Sequence, residues 1–446
     1  MSVMAAAEDR VKLAGELTNA FINTIWTVEL VTESGAACFD RWPAWMPALA
    51  QRVVAVFRVA PVDRRHELFA LVLEFLEERV PSEPVAGGAR PVSRPLRVPA
   101  APRWPVLEIE TVAQLAERLE LSDGQLAWLA DVRGLERTAE RERLRNYRYL
   151  TVARRRGLPR VIEAPKLRLK EVQRWILTEI LGKVPPHAAA HGFVAGRSAV
   201  THAELHTGRA VVLRLDLEDF FASVPAGRIY GIWHALGYQR ALAHVLTGLT
   251  TNVVPASVWQ HVADATDPDA AAPRFHLGRR LATPHLPQGA PTSPALANLA
   301  SFRLDRRLSG LASASGLTYS RYADDLTFSG SARLIRRRPQ FEAVVREIVR
   351  DEGFQLNDAK TASQTTAGRQ TVCGVVVNAH TNVRRSECDE LRAILYNAAR
   401  TGPASQNRDE LEDFRAHLLG RISWVRALNP ARGRRLDALY AAIDWS

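Results

Sequence analysis

The sequence predicts an α+β fold behind a helical N-terminal extension, and three observations carry that prediction. Apolar residues recur at helical spacing in 45–80 and again in 387–443. Between these regions, short apolar runs such as Val211-Val212-Leu213-Arg214-Leu215 alternate with amphipathic stretches, the mark of mixed strands and helices. A stretch at 81–105 carries prolines at 81, 84, 91, 95, 99, 102 and 105 and has no apolar period, so it reads as a linker.

Composition narrows the class. With 446 residues, 47% of them hydrophobic and 24% charged, the chain suits a globular protein of two or three domains, and global disorder and fibrous repeats are excluded. Lys and Arg number 59 against 48 Asp and Glu, a net charge of +11 that points to a polyanionic partner. Residues 1–150 hold 19 basic and 21 acidic side chains, so the excess belongs to the C-terminal two thirds. Only Lys12, Lys166, Lys170, Lys183 and Lys360 are lysines, a bias read as genomic that still singles each one out. No run approaches the roughly 18 to 20 uncharged apolar residues that span a bilayer, and residues 1–10 lack a signal-peptide layout. The expected location is cytoplasmic, without membrane contact. Cys38, Cys373 and Cys388 are too few and too scattered for a disulfide framework or a zinc site.

The elements follow in order. In 45–80, Val54, Phe57 and Val59, then Leu68, Phe69, Leu71, Val72 and Phe75, give residues 1–80 the pattern of a small helical module whose sequence names no chemistry. Two short helices in 112–131 break at Ser122-Asp123-Gly124. Helix-turn-helix and simple packing both stand open, and packing is favoured because no basic recognition helix follows. Strands at 147–152 and 160–162 flank the basic tip Arg154-Arg155-Arg156-Gly157, and an amphipathic helix follows at 167–181. A strand at 211–215 ends at Asp216, with a helix expected from about Phe220. Residues 296–311 are helical by period, 317–328 form two strands meeting at Ala323-Asp324-Asp325, 370–377 is a strand pair, and 387–443 is helical.

The chemistry concentrates in two places. In Tyr322-Ala323-Asp324-Asp325 two adjacent carboxylates at a hairpin tip repel one another, which signals a compensating cation; alone, the motif would suit an ordinary acidic turn equally well. A further acid ends the apolar strand in Leu213-Arg214-Leu215-Asp216-Leu217-Glu218-Asp219-Phe220-Phe221. One acid at a strand end and two on a neighbouring hairpin can hold two Mg²⁺ ions about 3.5 to 4 Å apart, the arrangement for in-line attack of a hydroxyl on a nucleotide α-phosphate.

With these segments the sequence resembles a reverse transcriptase over about residues 106–446. Leu286-Pro287-Gln288-Gly289-Ala290-Pro291-Thr292-Ser293-Pro294 is similar to the family's loop against the incoming nucleotide and template. Gly353-Phe354-Gln355-Leu356-Asn357-Asp358-Ala359-Lys360 resembles the motif whose lysine sits near the triphosphate, and Val372-Cys373-Gly374-Val375-Val376-Val377-Asn378 resembles the primer-gripping hairpin. Residues 154–165 look like the fingers hairpin. Within the family the resemblance is to the bacterial retron branch, with its Asn-Ala-x-x-His and Val-Thr-Gly signatures. Here they read His202-Ala203-Glu204-Leu205-His206 and Val372-Cys373-Gly374, each differing at one position. His191-Gly192-Phe193-Val194-Ala195-Gly196-Arg197-Ser198 and the stretch 420–430 also resemble retron enzymes.

The resemblance implies a right-hand polymerase fold, with fingers and palm at about 145–380 and a thumb at about 381–446. It implies an RNA-directed DNA polymerase whose catalytic and metal residues are Asp216, Asp324 and Asp325, holding two Mg²⁺ ions. Phe221, Gln288, Gly289, Lys360, Arg154, Arg155 and Arg160 would bind nucleotide, His202 and His206 RNA, and Val372, Cys373 and Gly374 the primer. Implied partners are a structured noncoding RNA serving as template and primer, dNTPs, a branched RNA–DNA product begun at a 2′-hydroxyl, and an effector protein in defence against phage.

Other readings of single residues stay open. His202 and His206 lie one helical turn apart as metal ligands do, but no third ligand is evident, so RNA contact or packing is favoured. Helix N-terminal charge suffices for Asp219. Phe220 and Phe221 are expected to divide, one into the core and one toward the nucleotide. Lys360 also reads as a surface lysine, and Arg336-Arg337-Arg338 as a solvated or phosphate-contacting loop. Rival functions are a group II intron-like or defence polymerase and a catalytically silent nucleic-acid-binding palm. An intron enzyme is expected to extend into a maturase domain, and the silent palm is disfavoured by three intact carboxylates.

Overall fold

A computed structural model describes residues 2–22, 24, 26–36, 38–39, 43–57, 61, 65–79, 104–152, 158–260, 262 and 271–445. Most of the proline-rich stretch, and Arg154 and Arg155, lie outside them. The described residues combine helices and antiparallel sheet, the expected α+β class, with helices alone in the N-terminal region. They fall into two compact units, 1–185 with 224–296 and 186–223 with 297–446. Among the described residues no helix is long and apolar enough to cross a membrane.

In the first unit, helices Ser2–Ile22, Val28–Ala36, Met46–Val56 and Arg65–Arg79 bury Leu17, Phe21, Leu49, Val53, Leu68, Val72 and Phe75 in one core. Helices Val112–Arg118 and Asp123–Leu129 are both present, but they part at 119–122 rather than at 122–124, so Asp123 and Gly124 open the second helix. Ser122 caps the second, its hydroxyl accepting from Gln125 N–H while the Gln125 side chain returns to Ser122 N–H. Strands β1 (Tyr147–Val152) and β2 (Arg160–Pro165) pair antiparallel from Tyr147 opposite Pro165 to Val152 opposite Arg160. Helix Leu167–Glu179 follows. Its buried Gln173 donates to Tyr147 Oη at 3.0 Å and to the Leu249 carbonyl at 2.9 Å, tying it to strand β1 and to helix Arg240–Thr250.

The second unit is built on four strands, β3 (Val211–Asp216), β4 (Thr318–Tyr322), β5 (Asp325–Gly330) and β6 (Ala362–Thr365), in the order β4-β5-β3-β6 with antiparallel neighbours. Helices Phe302–Ala314 and Arg333–Asp351 cover the sheet, and Phe328 meets Phe341 edge to face at 5.1 Å. A small hairpin, β7 (Thr371–Val372) and β8 (Val375–Val376), turns at Cys373-Gly374. Its Val372 and Val375 share a core with Leu391, Leu395, Leu418, Ile422, Val425 and Leu436 of the terminal helices Arg385–Thr401, Phe414–Leu428 and Pro430–Ala441.

Three expectations are corrected. Arg336-Arg337-Arg338 form no loop but lie inside helix Arg333–Asp351. No helix begins at Phe220: residues 218–223 are turns, and the next helix is Ala226–Ala235. Asp219 adopts φ +46°, Glu218 N–H is committed to the Gln355 carbonyl, and Pro225 keeps the residue before it out of helical geometry. The helix expected over 296–311 is two, Ser293–Ala300 and Phe302–Ala314, parted at Ser301 with φ −89° and ψ 2°.

Candidate active site

The end of β3 and the turn between β4 and β5 bring the acids together. Asp216 pairs directly with Asp325, and Tyr322 with Asp325, so Ala323-Asp324 is a two-residue turn. Ala323 takes φ +55°, a left-handed geometry that costs a residue with a Cβ and needs support. Several bonds over-determine it. Arg321 donates to the Ala323 carbonyl at 2.9 Å, and Leu217 N–H to the Asp324 carbonyl at 2.9 Å. The chain at 189–191 runs beside β4, with His191 N–H on the Arg321 carbonyl at 2.7 Å. A Cβ on Gly192 would stand 2.6 Å from Ala323 N, so only glycine fits that approach.

Beneath the turn lies an ion pair closed to solvent. Arg321 donates to Asp305 through Nε at 2.8 Å and Nη2 at 2.6 Å, Tyr319 Oη donates to the same carboxylate at 2.8 Å, and Arg321 Nη1 reaches Asn298 Oδ1 at 3.1 Å. Asn298 in turn donates to the Gly192 carbonyl at 2.9 Å. Removing one member of such a network strands a buried charge. Sequence reasoning missed Arg321, Asp305 and Asn298; the available signal was an arginine two residues before the turn in an otherwise uncharged strand.

Each of two catalytic candidates faces an internal cation. Lys360, in a short turn at Asp358–Lys360, donates from Nζ to both Asp216 oxygens at 2.8 and 3.0 Å. Arg214 holds Asp325 through Nε, 3.2 Å from Oδ2, and through Nη2. Burial pushes Asp216 up to about pH 6 as its midpoint; the nearby Asp324 and Asp325 push the same way, and Lys360 opposes them. Burial likewise raises Asp325 against the pull of Arg214. As the side chains stand, no three His, Cys, Asp or Glu groups among the described residues gather to hold a metal ion. The donor chemistry does fit one: three carboxylates suit an oxygen-seeking divalent cation, whose charge would offset the repulsion that Asp324 and Asp325 exert on Asp216.

The two phenylalanines differ in burial. Phe220 is buried against Phe354, with ring centres 5.9 Å apart, under the Arg321 guanidinium at 5.7 Å, whereas Phe221 is half-buried with its ring 6.2 Å from the exposed Phe193. In the other unit, Gln288 is half-buried, Gly289 is exposed, and Arg160 is exposed at the start of β2.

His202 and His206 depart from the reading that their rings touch RNA, because both are fully buried. His206 spans the sheet, its Nδ1 2.7 Å from Ser329 Oγ and its Nε2 2.7 Å from Ser320 Oγ. His202 lies tilted against Tyr322 with ring centres 5.8 Å apart, and its Nδ1 lies 3.4 Å from Cys373 Sγ in the β7–β8 hairpin. Burial pushes each imidazole down to about 3, so both are neutral packing groups. The two retron-like signatures therefore touch one another through His202 and Cys373.

A family model described as reverse transcriptase (RNA-dependent DNA polymerase) matches residues 152–385. The Retron Mx65 reverse transcriptase of Myxococcus xanthus is 42% identical over 298 residues, 66% of this chain and 64% of that one. The Retron Mx162 reverse transcriptase of the same organism is 36% identical over 356 residues, 76% of this chain and 68% of that one. The Retron Ec86 reverse transcriptase of Escherichia coli is 31% identical over 284 residues, 64% of this chain and 76% of that one. The match thus spans slightly less than two thirds of the first of these relatives.

Proposed function

The chain belongs to the reverse transcriptase (RNA-dependent DNA polymerase) family, and from that premise we propose that it is a retron-type RNA-directed DNA polymerase with Asp216, Asp324 and Asp325 as its catalytic acids. The observation that carries the reading is Asp216 standing opposite Asp325 across β3 and β5 with Asp324 beside it in the turn. Fingers and palm occupy about 145–380 of a right-hand fold, and the terminal helices form the thumb.

The three carboxylates would hold two Mg²⁺ ions, which when bound lower the pKa of the attacking hydroxyl and neutralise charge on the triphosphate and leaving pyrophosphate. The chain's own groups do the rest. Arg214 keeps the Asp325 carboxylate in one orientation. Lys360, on a flexible stem, moves from Asp216 to the phosphates of the incoming nucleotide. The Phe221 ring lies beneath the sugar, Gln288 and Gly289 back the nucleotide and template, and Arg154, Arg155 and Arg160 bind phosphates. In the segment Val372, Cys373 and Gly374, the turn at Cys373-Gly374 grips the primer end and the buried Val372 anchors that turn in the core.

The template and primer are one structured noncoding RNA, extended from a 2′-hydroxyl into a branched RNA–DNA product, and the cytoplasmic complex acts with an effector protein in defence against phage. Relatives named as retron reverse transcriptases support the retron part of this reading. Purifying the full chain with its nucleic acid, sequencing that material and supplying dNTPs with Mg²⁺ tests it. The expected result is one RNA species joined to complementary DNA through a linkage that debranching enzyme opens. Incorporation on any RNA with no enrichment of one species would overturn the retron reading and leave the polymerase.

A further inference from the structure

Within the first unit, strand β2 and the Gln288-Gly289 corner are joined by a polar network sealed from solvent. Glu163 and His285 are each 1% exposed in their side chains, and Glu163 Oε1 lies 3.0 Å from His285 Nε2. Glu163 Oε2 accepts from Asn252 Nδ2 at 2.8 Å, and that amide also donates to Tyr149 Oη at 3.1 Å. The backbone of Gln288 is clasped on both sides. Its N–H donates to Glu163 Oε1 at 3.3 Å, and its carbonyl accepts from Glu163 N–H at 2.8 Å. Next to it Gly289 adopts φ +133°, and a Cβ there would stand 2.9 Å from the Glu163 carbonyl oxygen.

A buried carboxylate has to have its lone pairs satisfied, and Glu163 finds its partners in His285 and the Gln288 backbone of the loop and in Asn252, which is itself paired with His285. Burial pulls the His285 midpoint down, but Glu163 outweighs it and holds the imidazole above its ordinary value, so the contact between them favours the protonated ring. Asn252 and His285 also exchange backbone bonds, at 2.9 and 3.0 Å, which fixes the approach to Leu286. The Gln288 side chain is left half-buried on a backbone that cannot shift without breaking these bonds. Packing alone would be served by an apolar residue at 163.

We propose that Glu163 is a positioning residue for the incoming nucleotide, fixing the Gln288-Gly289 corner through His285, Asn252 and the Gln288 backbone. The inference rests on the reading above that this corner backs the nucleotide and template. Groups that orient a substrate act chiefly on its binding, and a small displacement is felt far from the chemistry.

The test is steady-state incorporation of single dNTPs by the full chain on an RNA template annealed to a DNA primer. Glu163→Ala is expected to raise the dNTP KM about tenfold with kcat and RNA affinity near those of the unaltered chain, the effect of unpairing buried partners. Glu163→Gln, which keeps the shape and one acceptor oxygen without the charge, is expected to raise KM by a smaller factor, about threefold, and it covers the case in which the alanine variant does not fold. Unchanged KM in both variants overturns the proposal. So does a joint fall of kcat, KM and RNA affinity that tracks loss of folded protein by melting. If the unaltered chain incorporates nothing, the polymerase reading fails first and this one with it; if it is active and the variants match it, only the positioning role fails.

Discussion

Lys360 Nζ donates to both carboxylate oxygens of Asp216, at 2.8 and 3.0 Å, from 144 residues along the chain. Lys360 is 47% exposed and Asp216 15%, so the mobile partner is the lysine. Lys360→Met keeps the stem and drops the charge. Asp216 has its midpoint at about 6 with Lys360 pulling it down, so losing the lysine moves that midpoint up. An acid that must be ionised to bind a cation is active above its midpoint. The pH at which primer extension reaches half its maximum should therefore rise in Lys360→Met, with kcat/KM for dNTPs at pH 7 down at least about tenfold, or ~1.4 kcal/mol. An unshifted pH profile would place Lys360 outside the reaction.

Asp324→Asn and Asp325→Asn remove ligand charge while nearly preserving shape. Asp325→Asn also unpairs Arg214, which is 30% exposed and retains access to water, so the protein should stay folded at a modest cost in melting temperature. DNA synthesis in Mg²⁺ should vanish in the double variant while RNA binding persists. Because both neighbours raise the Asp216 midpoint, their neutralisation should lower it. Full extension activity in the double variant sinks the assignment of these acids.

How far all this was legible varies from residue to residue. Asp216, Asp324 and Asp325 stood out because adjacent acids beside apolar strands are costly unless used, and the β3–β5 register brings two of them face to face. Lys360 was visible by its rarity and its motif, but its bond to Asp216 needs the fold. Arg321, Asp305 and Asn298 were hidden because a buried ion pair reads in sequence as two charges 16 residues apart. Periodicity could not place the helix after Asp216, since a left-handed Asp219 and Pro225 decide where helical geometry starts. The burial of His202 and His206 is set by Ser320, Ser329 and the β7–β8 hairpin, partners more than 100 residues away.

His206 gives a prediction opposite to surface contact. His206→Ala leaves the hydroxyls of Ser320 and Ser329 without their shared partner and opens a cavity, a loss of about 2–4 kcal/mol in unfolding free energy. Its midpoint in the fold, about 3, is depressed below the ordinary histidine value of 6.5. Its stabilising effect is thus complete above pH 6.5 and lost as pH falls toward 3, so melting temperature should drop on acidification less steeply in His206→Ala than in the unaltered chain. Affinity for a cognate and a scrambled RNA should fall together. A loss confined to the cognate RNA, with melting unchanged, would restore direct recognition.

Phe221 is the expected gate against ribonucleotides, five residues after Asp216 and half-buried, while Phe220 fills the core between Phe354 and Arg321. An apolar pocket that merely disfavours an extra hydroxyl discriminates by about 10²-fold, whereas a ring occupying the hydroxyl's space adds steric repulsion. The ring of Phe193 lies 6.2 Å from that of Phe221. Phe221→Ala should therefore raise the relative kcat/KM for ribonucleotides and leave folding and the carboxylates intact. Phe220→Ala should cost about 3–5 kcal/mol of stability through its cavity and leave sugar selectivity as it was. Incorporation of matched ribo- and deoxynucleotides by both variants separates the two rings, and altered selectivity in Phe220→Ala alone would move the gate to the buried ring.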